Sequence, residues 1–524
     1  MTTASEARPL PDKVAPTLPH HLLFPTAMVA TVIASLPLRF GSATPDVSWL
    51  IDMCARVLDG ETAYIDIFET TPPVPMLLYM PGALLEKFAG IRAETAVICY
   101  AYLSYLGALW LSARLLPKQL EGLGPSHWFV ILPASIFLFI LTNDAFAQRE
   151  GFAVAFTLPM ICALIARAQT GKHPGILWRS VAIALAGIGA AIKPPLFAAP
   201  LLLCGGYVLF KTRNPRDLYS CGFIASAVVF AAVTAGTFAM FPAYFDGVYQ
   251  MMRDIYVPLR HNFITTVLLK TVTNSIHFCL FFASFILLRP TLHRKLNETD
   301  RFFLLAAAGF FFAYLYQAKH FDYHVIPIAF FCFLVGWSSV LLALQTDITA
   351  PKQQSKLRLA TILSAIKMGL FMVLCTGLFL SFDDDEPKLL DRSWAEDLDQ
   401  PTAMSISSGY INGFPLAREI NARWVNRVHS QWAVTYPEAV MQKQTVSKDQ
   451  RTLFVNYQDA ELNRTIAVVS EKKPEIIIHG ARPTDDYLTE ELLKRDPTLF
   501  DGYAVVAEDD VFRIWQRISE TQAN

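Results

Sequence analysis

The chain has 524 residues, of which 53% are hydrophobic and only 17% are charged, whereas ordinary globular chains carry roughly 25% charged residues. This composition excludes a disordered chain, a fibrous repeat and a conventional soluble enzyme, and it favours a polytopic membrane protein. The 44 basic and 45 acidic side chains give a net charge of −1, so no basic excess is present for binding nucleic acid.

Apolar runs of membrane-spanning length recur through the first 382 residues. A membrane-spanning helix needs roughly 20 predominantly apolar residues, and the first run lacks a clear cleavage site, which indicates a retained helix. The predicted fold class is therefore mainly α, a polytopic helical bundle at residues 21–382 that follows a tail at 1–20. It has about eleven spans, near 21–39, 94–113, 127–142, 151–168, 180–192, 196–210, 218–241, 274–289, 302–317, 324–344 and 360–381.

Basic residues predict the orientation of these spans, because cytoplasmic loops contain an excess of Lys and Arg. The basic clusters fall in alternate loops, all on one side, if the apolar stretch 73–89 lies at the interface and does not cross the membrane. The tail 1–20 is then cytoplasmic. Residues 40–93 form an outer loop that contains interfacial helices, and the C-terminus lies outside.

The composition becomes polar after Asp383, and no apolar run of spanning length follows. We predict an extracytoplasmic α/β domain over residues 383–524. Strand-like segments are 452–457, 466–470, 475–479 and 503–507, and helix-like segments are 416–432 and 484–495.

Unusual polar residues concentrate in six segments on the predicted outer side of the bundle. Polar groups at membrane depth are costly and are commonly retained for function. We therefore expect these segments to converge on one polar cavity at the lipid–water boundary. They are residues 45–60, 64–73, 144–151, 192–195, 242–272 and 317–324.

The first outer segment contains two carboxylates of interest. Asp46 follows the first span and precedes an amphipathic stretch, so it suits either a helix N-cap or a buried general base toward a hydroxyl group. Asp52 lies four residues before Arg56, a spacing that favours an ion pair on one helix face.

Two further outer segments offer cations that could hold an anion. Arg149, next to Glu150, lies between two spans. It either contacts lipid headgroups or binds phosphate, since a guanidinium group recognises phosphate oxygens in bidentate fashion. Lys193 precedes two prolines, and its side chain either snorkels from a helix end or joins such a phosphate site.

The segment QAKHFDYH contains the densest polar cluster. Phosphate binding by Lys319 with His320 or His324 is the favoured interpretation. A metal site formed by His320, Asp322 and His324 is the alternative, although this spacing matches no specific zinc pattern. No nucleotide-binding glycine loop occurs on the outer side. We therefore predict no cofactor, and a divalent metal remains the less favoured option.

The order of these motifs resembles that of the GT-C superfamily of glycosyltransferases. A first span is followed by an outer loop that opens with Asp46, a stretch ending in ARVLDG, then YIDIFETTPP and an apolar interfacial helix. The pattern is most similar to bacterial lipid-linked sugar transferases related to protein O-mannosyltransferases and to the lipid A aminoarabinose transferase. Val47 stands where that group often has a second acid, and Thr70 and Thr71 replace a lysine near Glu69.

The resemblance implies an inverting glycosyltransferase in the bacterial cytoplasmic (inner) membrane, with the C-terminal domain in the periplasm. It would move a sugar from a polyprenyl-phosphate donor to a lipid, glycan or protein acceptor in the envelope. By resemblance Asp46 is the catalytic base. The implied donor-phosphate ligands are Arg149, Lys193, Lys319, His320 and His324, and the implied acceptor or sugar contacts are Asp52, Glu69 and Glu150.

Two other functions fit the same composition. A transporter or flippase of a lipid-linked anionic substrate would also gather cations and carboxylates, but it would place them at mid-membrane depth and show paired repeats. A non-catalytic subunit for envelope assembly would use the outer domain as an interaction module. The polar clusters lie near one face and no two-fold repeat is visible, which favours the glycosyltransferase.

Overall fold

The computed structural model describes residues 20–39, 43–220, 222–257, 296–318, 321–349, seven positions between 369 and 380, 393–409, 412–443, 445–509 and 512–518. The predicted span at 274–289 lies outside these residues, as does all of the span at 360–381 except those seven positions. The other nine predicted spans each coincide with a helix.

In the described residues of the N-terminal part, helices are joined by loops, and a short hairpin of β1 (Gln119–Leu120) and β2 (Gly124–Pro125) follows the fourth helix. Five helical segments in the described residues are long and apolar enough to cross a membrane: Leu22–Arg39, Ala93–Leu115, Arg149–Thr170, Phe223–Met240 and Tyr323–Leu342. The helices are α1 (His20–Ser35), α2 (Pro45–Leu58), α3 (Pro73–Ala89), α4 (Ala93–Leu115), α5 (His127–Leu141, with π-helical turns), α6 (Arg149–Thr170), α7 (Ile176–Ala191), α8 (Ala199–Thr212), α9 (Asp217–Ser220), α10 (Phe223–Met240), α11 (Tyr249–Met251), α12 (Glu298–Gln317) and α13 (Ile326–Thr349).

Helix α6 forms the centre of this bundle, because every residue from Arg149 to Ala166 is buried. Helices α4, α7 and α8 pack around it. Small residues permit close helix contacts nearby: a Cβ atom on Gly187 of α7 would lie 2.6 Å from the Val229 side chain of α10. Such small-residue contacts are typical of helix packing in membranes.

The outer loop folds into α2 and α3, which pack on each other. Proline at the first position of each helix is favourable, since the missing N–H would have no partner within the helix. Thr44 is the N-cap of α2 and Asp46 lies inside its first turn. The N-cap interpretation of Asp46 is therefore wrong.

The C-terminal part contains a mixed five-stranded sheet in the order β4-β3-β5-β7-β6, with β4, β3 and β5 parallel and β7 antiparallel to both of its neighbours. This sheet confirms the predicted α/β class of the region. The strands are β3 (Thr402–Ile406), β4 (Arg423–Trp424), β5 (Ile476–Gly480), β6 (Tyr503–Glu508) and β7 (Phe512–Arg517). The helices are α14 (Leu416–Glu419), α15 (Trp432–Lys443), α16 (Lys448–Ala467) and α17 (Pro483–Arg495).

Three local predictions in this region are wrong. Residues 452–457 and 466–470 are helical, in α16 and the π-helical turn that follows it, and the predicted helix 416–432 is reduced to α14. The buried residues of α16 include Phe454, Gln458 and Leu462, which recur every four positions and so line one helix face. Short apolar runs in the sequence concealed this four-residue spacing of buried positions. Segments 475–479, 484–495 and 503–507 have the predicted structure.

Partly buried contacts join the C-terminal sheet region to the outer loop and to the start of α4. Arg418 reaches Glu86 of α3 and Glu94 of α4, each at 2.8 Å. The Phe68 amide donates to the Arg427 carbonyl at 2.8 Å. Two carboxylates on one guanidinium form a strong charge-assisted cluster, and their hydrogen bonds raise the pKa of Arg418 despite its burial.

Arg56 of α2 makes a second connection. It lies 4.0 Å from Asp52, as the spacing predicted, and it donates to the Asn426 carbonyl at 2.9 Å. Asp52 is only 5% exposed, and burial raises its pKa to about 6. The folded state therefore binds this proton more tightly than the unfolded state does.

Replacing Arg418 by Ala should lower the free energy of unfolding by about 3 kcal/mol, because it leaves Glu86 and Glu94 without their shared cation. Thermal unfolding of the purified protein in detergent measures this. The control is Arg423→Ala, which alters an exposed residue on β4 and should change little. Equal unfolding temperatures for the two variants would contradict the role of Arg418.

As the pH rises, the free energy of unfolding of the Asp52→Asn variant should increase relative to that of wild type. A raised pKa in the folded state means that wild-type stability declines between about pH 4 and about pH 6, and Asn lacks this loss. We expect the stability of the variant relative to wild type to be about 2 kcal/mol higher at pH 7.5 than at pH 4.5. Asp59→Asn, at a carboxylate whose side chain is 70% exposed, is the control. A pH-independent difference for Asp52→Asn would contradict the assignment.

Candidate active site

A cleft of about 380 Å³ lies where the outer loop, the starts of α6 and α13, and the C-terminal region meet. Its walls combine carboxylates, cations, hydroxyl groups and aromatic rings. From the membrane helices and the outer loop it is lined by Asp46, Glu69, Thr70, Thr71, Arg149, Phe321 and Tyr323. From the C-terminal region it is lined by Ser408, Gly409, His429, Ser430, Trp432, Thr435, Tyr436, Ala439, Arg482 and Thr484.

The guanidinium group of Arg149 connects the walls of this cleft. It donates to Asp46 Oδ2 at 2.9 Å, to Thr71 Oγ1 at 2.9 Å and to the Tyr323 hydroxyl at 3.3 Å. Arg149 is 7% exposed, so these bonds satisfy a charge that is nearly shielded from solvent. Segments that are distant in the sequence are thereby joined at one point.

The local chain path explains why Arg149 meets Asp46. Ala147 adopts a positive φ of 63° just before α6 begins, and Gln148 then donates its side-chain amide to Thr44 Oγ1 at 2.7 Å. This bond holds the start of α6 against the start of α2. The first turns of the two helices therefore present Arg149 and Asp46 to each other.

Asp46 and Glu69 lie in the same cleft but have different surroundings. The Asp46 side chain is 21% exposed and forms an ion pair with Arg149. Glu69 is 4% exposed and accepts hydrogen bonds from the Trp49 indole and the Thr71 amide. Asp46 is the more accessible of these two carboxylates to a molecule in the cleft.

A second polar layer lies behind Arg149. Lys193 forms an ion pair with Glu150 and donates to Gln317 Oε1 at 3.0 Å. His324 Nε2 lies 3.8 Å from the same Glu150 oxygen, and Glu150 is fully buried. Lys193, Glu150 and His324 do not line the cleft, so they could reach a substrate only after rearrangement or act through Arg149.

Other predicted site residues lie elsewhere. Asp52 is buried against Arg56 and does not line the cleft. Lys319 and His320 are outside the described residues. Among the described residues no group of three His, Cys, Asp or Glu side chains could hold a metal ion. The alternative metal site formed by His320, Asp322 and His324 lies only partly within the described residues, so it stays a prediction.

The structure adds a wall that the sequence did not indicate, formed by the C-terminal region. His429 packs edge-to-face on Trp49, with ring centroids 5.3 Å apart, and Trp49 donates to Glu69. Burial lowers the pKa of His429, although Glu69 and Asp46 oppose this shift. The lowered pKa favours the neutral imidazole, which can both donate and accept a hydrogen bond. It belongs to no motif, and no local pattern could have identified it.

Four residues of the cleft, Thr70, Thr71, Phe321 and Tyr323, lie within segments that the sequence singled out, although none was named as a site residue. Thr71 and Tyr323 both hold Arg149. Their positions in YIDIFETTPP and QAKHFDYH were the available signal.

Two solved structures of ArnT from Cupriavidus metallidurans are similar to this chain. The structure bound to undecaprenyl phosphate has a TM-score of 0.54 and 13% sequence identity, over 95% of this chain and 98% of that chain. The apo structure has a TM-score of 0.52 and 12% identity, over 94% and 97% of the two chains. No family model and no curated protein sequence matches the chain.

The likeness covers nearly the full length of both chains and shows their shared fold. The predicted architecture, a membrane helical bundle followed by a C-terminal α/β region, is confirmed. This chain therefore has the fold of the two ArnT structures.

Proposed function

We propose that the protein is an integral membrane glycosyltransferase that moves a sugar from a polyprenyl-phosphate donor to an envelope acceptor. The observation that carries this proposal is the Asp46–Arg149 pair, which places a carboxylate and a buried guanidinium in one cleft. The shared fold with ArnT, one structure of which is bound to undecaprenyl phosphate, supports the choice of donor.

The proposed reaction uses Asp46 as general base. Its carboxylate takes the proton of an acceptor hydroxyl while that oxygen attacks the anomeric carbon of the donor sugar. The bond from the anomeric carbon to the phosphate oxygen breaks, and the phosphate leaves with the electron pair. Attack from the face opposite the phosphate inverts the anomeric configuration.

Arg149 would bind the departing phosphate. Its guanidinium offers parallel N–H groups that match two phosphate oxygens. A cation placed in advance stabilises the charge that develops on the leaving group more than it stabilises the ground state. The phosphate would compete with Asp46 for the Nη2 donor, now 2.9 Å from Asp46 Oδ2. Donor binding would thereby release the carboxylate for the acceptor hydroxyl.

The second layer would keep Arg149 available for this role. Glu150 Oε2 lies 3.8 Å from Arg149 Nε, while Lys193 holds the other Glu150 oxygen. Without Lys193, the buried Glu150 would compete more strongly for the guanidinium. Lys193 therefore acts as a positioning residue here, with His324 beside it, and Lys319 and His320 remain proposed phosphate ligands on sequence grounds.

The proposal also includes the side of the membrane on which the cleft lies and the residues that contact the acceptor. The distribution of Lys and Arg supports a cytoplasmic N-terminus and a periplasmic cleft in the bacterial inner membrane. Glu69 lines the cleft and suits a contact with sugar or acceptor hydroxyls. Asp52 and Glu150 are buried and do not line the cleft. In this proposal they therefore position neighbouring residues and do not contact the substrate directly.

Asp46→Asn should abolish transfer while leaving the protein in the membrane, because Asn has a similar shape but cannot accept the proton. A missing general base lowers the rate about 10²- to 10⁴-fold. Mass spectrometry of envelope lipids and glycans, from cells that lack the protein and are complemented with each variant, measures the transferred sugar.

Asp59→Asn is the matched control in the same loop, since Asp59 is exposed and pairs with Lys87. It should restore the wild-type masses. Restoration by Asp46→Asn as well would eliminate the base assignment. Envelope masses that do not depend on the protein at all would contradict the transferase proposal.

Arg149→Ala should weaken binding of undecaprenyl phosphate about tenfold, since it removes charge-assisted bonds to the phosphate. Native mass spectrometry of the purified protein, titrated with this lipid, measures the affinity. Arg253→Ala removes an exposed arginine that pairs with Asp254 and should leave the affinity unchanged. The same affinity in the Arg149 and Arg253 variants would argue against a phosphate clamp.

A further inference from the structure

The end of the helical bundle that lies opposite the cleft is rich in positive charge. Near the start of α4, Glu94 contacts Arg418 of the C-terminal region, whereas Arg114 lies in the last turn of the same helix, about 30 Å further along its axis. Ion pairs join the ends of α6 and α8 to the starts of α9 and α12 at this opposite end. We call it the basic end, and in the described residues it comprises 114–127, 167–179, 207–220, 297–301 and 347–349.

The basic end contains nine Lys and Arg residues but only five Asp and Glu residues. Three of the cations pair there with Asp217 or Glu298, and the other six form no ion pair with a described residue. The segments 258–295 and 350–382 contain neither Asp nor Glu, and residues 1–19 contain two basic and two acidic residues, so these parts of the chain bring no excess of carboxylates. The cations are Arg114, Lys118, Arg167, Lys172, Arg179, Lys211, Arg213, Arg216 and Arg301, and the carboxylates are Glu121, Asp217, Glu298, Asp300 and Asp347.

A specific arrangement surrounds one of the unpaired cations. Excess Lys and Arg in cytoplasmic loops is general among membrane proteins, so the charge alone identifies no site. The guanidinium carbon of Arg114, however, lies 5.3 Å from the centre of the Trp110 ring, and Trp110 packs edge-to-face on Trp178 of α7 with ring centroids 4.9 Å apart. The indole ring covers one face of the guanidinium group, which orients the group and leaves its N–H edge for a ligand.

An exposed apolar stripe leads along α4 to this arrangement. Leu103, Leu106 and Trp110 follow each other at three- and four-residue spacing, so they share a helix face with Arg114. Leu103 is 71% exposed and Trp110 is 48% exposed, on a helix that is long and apolar enough to cross a membrane. Along this face the order is aliphatic side chain, indole ring and guanidinium group. A phospholipid has the matching order of acyl chain, ester linkage and phosphate, and indole rings favour the boundary between them.

We propose that Arg114, Trp110 and Trp178 form a binding site for an anionic phospholipid. Arg114 would bind the phosphate, the indole N–H groups would donate to phosphate or ester oxygens, and the leucines of the stripe would contact an acyl chain. The uncompensated cations of the basic end favour a headgroup with a net negative charge over a zwitterionic one. The site is separate from Arg149 and does not depend on the proposed transferase function.

The test uses the full-length protein in detergent and two phospholipids with identical acyl chains. Phosphatidylglycerol is anionic and phosphatidylethanolamine is zwitterionic, and native mass spectrometry measures the affinity of each. We expect phosphatidylglycerol to bind about tenfold more tightly, because the basic end attracts its net charge. Inorganic phosphate at an equal concentration should not displace it, because phosphate lacks the acyl chains that contact the stripe.

Variants locate the binding. Arg114→Gln should weaken phosphatidylglycerol binding about fivefold, which corresponds to one cation near the membrane surface, and should leave phosphatidylethanolamine binding unchanged. Arg114→Lys should retain part of the difference, because it keeps the charge but loses the planar stacking. Trp110→Leu should weaken binding of both lipids. The matched control is Arg92→Gln, at an exposed arginine beside the other end of α4 that pairs with Glu94, and it should bind as wild type does.

Four results would overturn the inference: equal affinities for the two phospholipids, full phosphatidylglycerol affinity in the Arg114→Gln variant, an equal loss in the Arg92→Gln variant, or displacement by inorganic phosphate. Arg149→Ala should bind phosphatidylglycerol as wild type does, because Arg149 lies at the cleft. Loss of binding in that variant would place the lipid at the donor site and would also overturn the inference. None of these results bears on the envelope masses that test the transferase proposal.

Discussion

The candidate active site depends on the hydrogen bonds of the buried Arg149 guanidinium group. It donates to Asp46, Thr71 and Tyr323 from the first turn of the most buried helix of the bundle. Removing the partner of a buried charge is strongly destabilising, so separating Arg149 from Asp46 without a replacement anion would have a large free-energy cost. One side chain thereby fixes the outer loop and two membrane helices relative to each other.

The charged side chains around Arg149 form two layers, one at the cleft and one behind it. Asp46 neutralises Arg149 on the cleft side, and Lys193 neutralises Glu150 behind it. Of these four groups, Asp46 and Arg149 line the cleft, whereas Lys193 and Glu150 do not. In the proposed reaction, the donor phosphate would exchange partners with this pair, while Lys193 would continue to neutralise Glu150.

The C-terminal region forms the opposite wall of the cleft. The Arg418 cluster and the contact of Phe68 with Arg427 attach it to the outer loop. His429 and Trp432 consequently lie beside residues of the membrane helices. In the proposed reaction, this division would let a lipid-linked donor approach from the bundle and a polar acceptor approach from the C-terminal region.

The sequence by itself determined the membrane helices, because a bilayer imposes long apolar segments that are visible in hydropathy. It also indicated Asp46 and Arg149 through their positions beside such segments. Helix α16 was missed because its short apolar runs resemble strands until the buried face is known. Only the tertiary structure decided that Asp46 and Arg149, 103 residues apart, form a pair, and that His429 and Trp432 complete the cleft. Such contacts depend on how the elements pack, and packing between distant segments leaves no local pattern.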